Sequence, residues 1–233
     1  MATKNTCSNC WKEPTLCVCA MIPQIKTRTR LLVLQHPQEA RNQWGTARLL
    51  TLSVPGSVHR VGLSWPSLAK VMGSPVQASR WGVLFLGTLK QYKPVPEAPG
   101  LYPLNGKKLP KLEGLVLLDG NWKQSKTLWW RNPWLLRLHR LVLNSQAPSL
   151  YTPLRRQPRK ACLSTIEAAA ECFSFLGESE QTSAALKQLF ASFIDLANHR
   201  RQGALDSHPS GEMVPAAPEL LSNTDHGNNS RSA

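Results

Sequence analysis

The chain is 233 residues long and 42% hydrophobic, enough for one well-buried domain with a small appendage. No apolar run approaches the roughly 20 residues that cross a bilayer, and the start Met-Ala-Thr-Lys-Asn-Thr-Cys carries no hydrophobic signal core, so a cytoplasmic protein is expected rather than a membrane-spanning or secreted one. Lys and Arg number 28 against 14 Asp and Glu, a formal net charge of +14; that imbalance points to a polyanionic partner, nucleic acid before an anionic membrane surface.

Four of the six cysteines open the chain as Cys7-x2-Cys10-x6-Cys17-x-Cys19. In a reducing compartment disulfides are disfavoured, and two close pairs of thiolates suit one tetrahedral zinc ion. Four protein ligands leave no open position, so the zinc would be structural. Cys162 and Cys172 read as small core residues.

The run Thr29 to Leu34 predicts a strand, halted by Gln35-His36-Pro37. A histidine at that point either moves protons, holds a phosphate or makes structural hydrogen bonds. Glu39 would be a first-turn acid of a helix predicted over Glu39 to Leu52. Further strands are predicted at Ser57 to Val61, Val83 to Leu86, Leu115 to Leu118 and Leu138 to Leu143, with a long surface loop from Tyr92 to Pro110. A helix over Asn121 to Arg131 stops before Pro133. Continuous apolar strands alternating with helices predict an α/β domain with a largely parallel sheet.

Asp119 stands at the carboxyl end of a buried strand, where open α/β sheets bind their ligands. Alternatively Asp119 or Asn121 caps the helix that follows. Trp122 is either core or a flat face for a base or a cation. Ser164-x-x-Glu167 matches the capping box, although a helix start with a hydroxyl also suits an anion or ligand. Directly before it, Arg155-Arg156-Gln157-Pro158-Arg159-Lys160 forms a basic run, either a solvated face or a phosphate contact. Two helices close the domain, the second striped by Leu186, Leu189, Phe190, Phe193, Ile194 and Ala197. Beyond Gly203 the composition turns to Pro, Ser, Asn and acid, which predicts a disordered tail. The expected organisation is a zinc-binding segment over residues 1–24, a folded domain over 25–203 and an acidic tail over 204–233.

The order of these motifs resembles the DTW-domain family: the four cysteines, His36-Pro37-x-Glu39, Asp119-x-Asn121-Trp122, then Ser164-Thr165-x-Glu167-Ala168. The similarity runs from about Cys7 to Phe175. It implies a SPOUT-like knotted fold and transfer of the 3-amino-3-carboxypropyl group of S-adenosylmethionine to N3 of a uridine in tRNA. Asp119 would be the general base, or would anchor the cofactor's amino group. Leu86, Gly87, Thr88, Asn121, Trp122, Ser164, Thr165 and Glu167 would lie at the cofactor, with Asn144-Ser145 as a further loop after a strand. His36, Arg155, Arg156, Arg159 and Lys160 would face RNA. An ordinary aspartate, with a pKa of about 3.9, is a feeble base, so burial at the strand end is needed to strengthen it. Three positions depart from the family pattern: Asn121 replaces the threonine of Asp-x-Thr-Trp, Pro153 lengthens the approach to the last motif, and Gly45-Thr46 replaces an Asn-Thr pair. The rival readings are an RNA methyltransferase using the same cofactor and a zinc-containing RNA-binding module without catalysis.

Overall fold

The computed structural model describes residues 6–84, 98–146, 148–150 and 163–206, the last six as backbone. Six strands, β1 (Arg30–Gln35), β2 (Val58–Val61), β3 (Trp81–Leu84), β4 (Gly100–Pro103), β5 (Gly114–Asp119) and β6 (His139–Asn144), form one sheet in the order β2-β1-β5-β3-β6-β4. The first five in that order are mutually parallel and β4 joins β6 antiparallel. Among the described residues five helices surround it: α1 (Ala47–Ser53), α2 (Leu68–Met72), α3 (Trp122–Arg131), α4 (Thr165–Phe175) and α5 (Glu180–Asp206).

The near-continuous apolar runs of β1 and β5 form strands because both faces are covered. Alternation along each strand divides them between two cores. Leu31, Val33, Leu115 and Leu117 pack with α1, α4 and α5. Leu32, Leu34, Val116 and Leu118 pack on the other side with α2 and α3. Trp81 lies opposite Gly114 across the β3–β5 ladder, and a Cβ on that glycine would stand 2.6 Å from the indole; the missing side chain is what admits the ring.

Three expectations are corrected. The helix predicted over Glu39 to Leu52 is broken into a 3-10 turn (Glu39–Arg41) and α1. Asn42 Oδ1 accepts from Trp44 N at 3.0 Å, a turn that competes with the helix, and the buried Lys12 Nζ takes the Gln43 carbonyl at 2.7 Å together with that of Gly45. Second, β4 lies inside the predicted loop of Tyr92 to Pro110; it is a short edge strand ending in proline, and an edge is where a sheet tolerates that residue. Third, α5 runs through Gly203 to Asp206, three residues into the predicted tail. The rest of that tail lies outside the described residues, as do Phe85 and Leu86 of the third predicted strand.

The cysteine segment is no separate appendage. Cys10, Leu16 and Val18 are fully buried in the same core as Leu186, Phe190 and Phe193 of α5, and Glu13 pairs with Arg200 at 2.5 Å.

Candidate active site

Parallel register sets Asp119, the last residue of β5, beside Gln35, the last of β1. The acid is 4% exposed. Its Oδ2 accepts from Gln35 Nε2 at 2.8 Å, and its Oδ1 accepts from the Thr165 hydroxyl. Because Thr165 opens α4, the start of that helix is fastened to the carboxyl edge of the sheet. Asp119 is not the cap of α3. That role belongs to Asn121, whose Oδ1 accepts from Gln124 N at 3.0 Å while Gln124 Oε1 takes Asn121 N at 2.7 Å. Between them a Cβ on Gly120 would meet Gln124 Cβ at 2.8 Å, so glycine is required for the close turn from strand to helix.

Gln35 carries the network one strand further, since His59 Nε2 lies 3.0 Å from its Oε1. With the amide nitrogen already donating to Asp119, the oxygen is left to accept, which assigns the His59 proton to Nε2. A chain His59–Gln35–Asp119–Thr165 thus crosses β2, β1, β5 and α4. Burial first, then the nearby Arg48 and Arg60, pull His59 down to about 4. An unfolded histidine titrates near 6.5, so the unfolded chain binds more protons between about pH 4 and 6.5, and stability falls as the pH is lowered through that window. His59→Gln is expected to flatten this part of the Tm profile followed by circular dichroism; an unchanged acid limb would assign it to other groups.

Lys12 comes from the cysteine segment. Burial pulls its ammonium down to about 8, opposed by the charges of Cys10, Asp119 and Glu39. Nearby, Cys7 Sγ and Cys19 Sγ are 3.6 Å apart, Cys10 Sγ and Cys17 Sγ 3.7 Å, and all four sulfurs lie within 4.8 Å of one another. A tetrahedron with Zn–S bonds of about 2.3 Å has edges of about 3.8 Å, so the donors fit zinc. Trp11, at the tip of this turn with a left-handed φ of 60°, sets its ring 5.5 Å from that of His59, with the Arg48 guanidinium 4.5 Å from the indole. The cysteine turn therefore borders the Asp119 network directly. Cys10, Trp11, Lys12, Gln35, Glu39 and Arg48 line a narrow cleft between them.

The other expected site residues divide. Thr165 meets Asp119, and the partly exposed His36 adjoins it through the backbone, its N–H donating to the Asp119 carbonyl at 3.0 Å. The His36 Nδ1 accepts from Gln38 N at 3.2 Å. Ser164 caps α4, and Glu167 closes the box. The Glu167 carboxylate accepts from Ser164 N at 2.8 Å, Ser164 Oγ at 2.7 Å, Ser149 Oγ at 2.8 Å and Leu150 N at 2.9 Å; it braces the helix start and the preceding turn. Trp122 is 45% exposed, with Lys126 Nζ 5.3 Å from its ring. Leu86, Gly87, Thr88, Arg155, Arg156, Arg159 and Lys160 lie outside the described residues, although β3 pairs with β5 as far as Val83. Lys107, Lys108 and Lys111 precede β5 and so lie at the opposite, amino edge of the sheet. Gln35, His59 and Lys12 had no motif of their own in the sequence; only the position of Gln35 immediately before His36-Pro37 hinted at the edge.

Comparison with known proteins decides the family, because the DTW domain matches residues 4–198. The chain belongs to the DTW-domain family. It is 30% identical over 186 residues to a Drosophila melanogaster protein named tRNA-uridine aminocarboxypropyltransferase 2, covering 74% of this chain and 67% of the relative. To the Mus musculus protein of the same name it is 30% identical over 177 residues, 73% of this chain and 56% of the relative. To tRNA-uridine aminocarboxypropyltransferase A of Arabidopsis thaliana it is 26% identical over 199 residues, 72% and 71% of the two chains. The match thus spans little more than half of the mouse protein. No solved structure matches significantly.

Within this DTW domain two departures now have a physical reading. Asn121 stands where the signature has threonine, and both residues are good N-caps; the observed side-chain bond to Gln124 N is one that either can make. In the Gly45-Thr46 pair, Thr46 Oγ1 accepts from Ile166 N at 3.3 Å and ties α1 to the start of α4, while the Gly45 carbonyl receives Lys12. Pro153 lies outside the described residues.

Proposed function

We propose that this DTW-domain protein is a tRNA-uridine aminocarboxypropyltransferase, which moves the 3-amino-3-carboxypropyl group of S-adenosylmethionine to N3 of a uridine in tRNA. The observation that carries the reading is the buried Asp119, held between Gln35 and Thr165 at the carboxyl edge of the sheet, in a chain whose relatives bear that name.

When bound, S-adenosylmethionine supplies an electrophilic methylene on a sulfonium whose departure leaves a neutral thioether. The residues present suit such a ligand: the Asp119 carboxylate, in its alternative role as anchor, for the ammonium group. At the uridine, N3 must lose its proton before it forms the new N–C bond, and Asp119 is the acceptor in this reading. A carboxylate offers about four acceptor sites, so the bonds from Gln35 and Thr165 are compatible with its taking that proton. The fixed carboxylate also aligns the reacting groups, since attack at the wrong carbon of the same sulfonium would give a methylated product.

The reading extends to a structural zinc held by Cys7, Cys10, Cys17 and Cys19, to a SPOUT-like knotted arrangement of the parallel sheet, and to residence in the cytoplasm with tRNA. No helix among the described residues is long and apolar enough to cross a membrane. The rival of a non-catalytic module drew on the Asn121 departure; the Asn121 side chain serves as the N-cap of α3.

Incubating tRNA with S-adenosylmethionine labelled in the methyl or in the carboxyl group separates the two transfers. Carboxyl label is expected in one uridine-derived nucleoside after digestion. Retention of methyl label alone would assign the chain to methyl transfer instead.

A further inference from the structure

Helix α3 leaves the candidate site directly after Asp119, and its outer surface is unusual. Trp122, Lys126 and Trp130 follow one another at i, i+4 and i+8 on one face, and Trp122 and Trp130 are 45% and 76% exposed. The adjacent ridge carries Lys123 and Arg131, and the helix sequence Trp-Lys-Gln-Ser-Lys-Thr-Leu-Trp-Trp-Arg contains no acid. A pair of indoles left in water on a helix whose buried positions are Ser125 and Leu128 is not needed by the core, and a large exposed apolar side chain is the informative exception on a surface.

The far end of α3 opens into a cleft of about 380 Å³, lined by Ser64, Trp65, Arg131, Trp134 and Arg137 with no acidic residue. Its walls are fixed. Buried Asn132 takes Trp65 N at 2.8 Å on its Oδ1 and donates to the Leu63 carbonyl at 3.0 Å, and Trp134 Nε1 donates to the Trp65 carbonyl at 3.0 Å. Neither the Arg131 nor the Arg137 guanidinium has an ionic partner among the described residues. Ten residues of helix span about 15 Å, so the ridge connects Asp119 to a doubly cationic cleft roughly that far away.

We infer that the outer face of α3 and the Arg131–Arg137 cleft form a tRNA-binding track, in which Trp130 stacks on an unpaired base and the two arginines hold phosphates flanking the target uridine. Interleaved indoles and cations suit a single-stranded loop, whose splayed bases stack on aromatic rings while cations follow the backbone. The inference rests on tRNA being the substrate of the proposed reaction, but it concerns binding and needs no turnover.

The test is filter binding of unfractionated tRNA to the full chain, without S-adenosylmethionine, across a salt series. Trp130→Ala is expected to weaken binding about tenfold, within the range measured for loss of one stacked base, and Trp130→Phe to recover most of it. Arg131→Gln combined with Arg137→Gln should make the slope of log K against log salt shallower by about 1.4 to 1.8, two phosphate contacts' worth. The control is Lys108→Gln with Lys111→Gln, flanked by Leu109 and Leu112, which pack on the core on the other side of the sheet from α3, and it should leave that slope nearly unchanged. Equal losses from the control pair would reduce the effect to net charge and overturn the track, as would unaltered binding by folded variants, including the case in which they lose self-association in sedimentation instead. Track-dependent binding by a chain that modifies no tRNA would sink the transfer reaction and leave the track standing.

Discussion

Asp119→Asn is expected to fold like the parent and to lose tRNA modification by about a hundredfold or more, the scale on which a positioned general base contributes. The substitution is a clean probe because an amide fits the same contacts. With its oxygen toward Gln35 Nε2 and its nitrogen toward the Thr165 hydroxyl, which can turn to accept, both hydrogen bonds survive. Stability should therefore change by no more than about 1 kcal/mol, the net worth of one such bond. What disappears is the negative charge beside Lys12 and the capacity to take a proton. Nucleoside mass spectrometry of tRNA treated with each protein, alongside a thermal melt, separates the two effects. A folded Asp119→Asn protein that modifies tRNA at the parent rate would remove the carboxylate from the chemistry altogether.

The largest stability effect is expected at the cysteine turn. Cys10 is fully buried and belongs to the same core as Leu16, Val18 and the apolar face of α5. In the proposed zinc site, removing this cysteine thus exposes more than a loop. Zinc coordination is folding free energy, on the order of 10 kcal/mol for isolated structural sites. If only about a third of that is lost, Cys10→Ser should lower Tm by roughly 6–12 °C in a domain of this size. Metal analysis is expected to give one zinc per parent chain and almost none for the variant. Modification should fall as well, because Trp11 and Lys12 wall the cleft beside Gln35. An unchanged melt in a protein stripped of metal would mean that packing alone holds residues 7–22.

Much of the fold was legible because it is written in short-range patterns. The helices after Asn121 and Ser164 begin as their capping boxes require, with bonds that span three residues. The opening of α2 could have been read in the same way, from Ser67 as N-cap and Gly73 with φ of 70° at its end, but five residues give too little periodicity to register. The predicted helix over Glu39 to Leu52 failed for the opposite reason. Its composition suited a helix, yet Lys12, some thirty residues earlier, needs the carbonyls that a continuous helix would have kept for itself.

The sequence alone determined the parallel α/β core, the four-cysteine turn and the placing of an acid at the end of a buried strand, since apolar runs, thiol spacing and strand ends are local properties. Only the tertiary structure decided what that acid touches. The register of β1 against β5 brings in Gln35, that of β2 against β1 brings in His59, and the start of α4 brings in Thr165. These partners lie 24 to 84 residues apart in the chain, and hydrogen bonds over such separations follow from how sheets and helices pack, which no local pattern encodes.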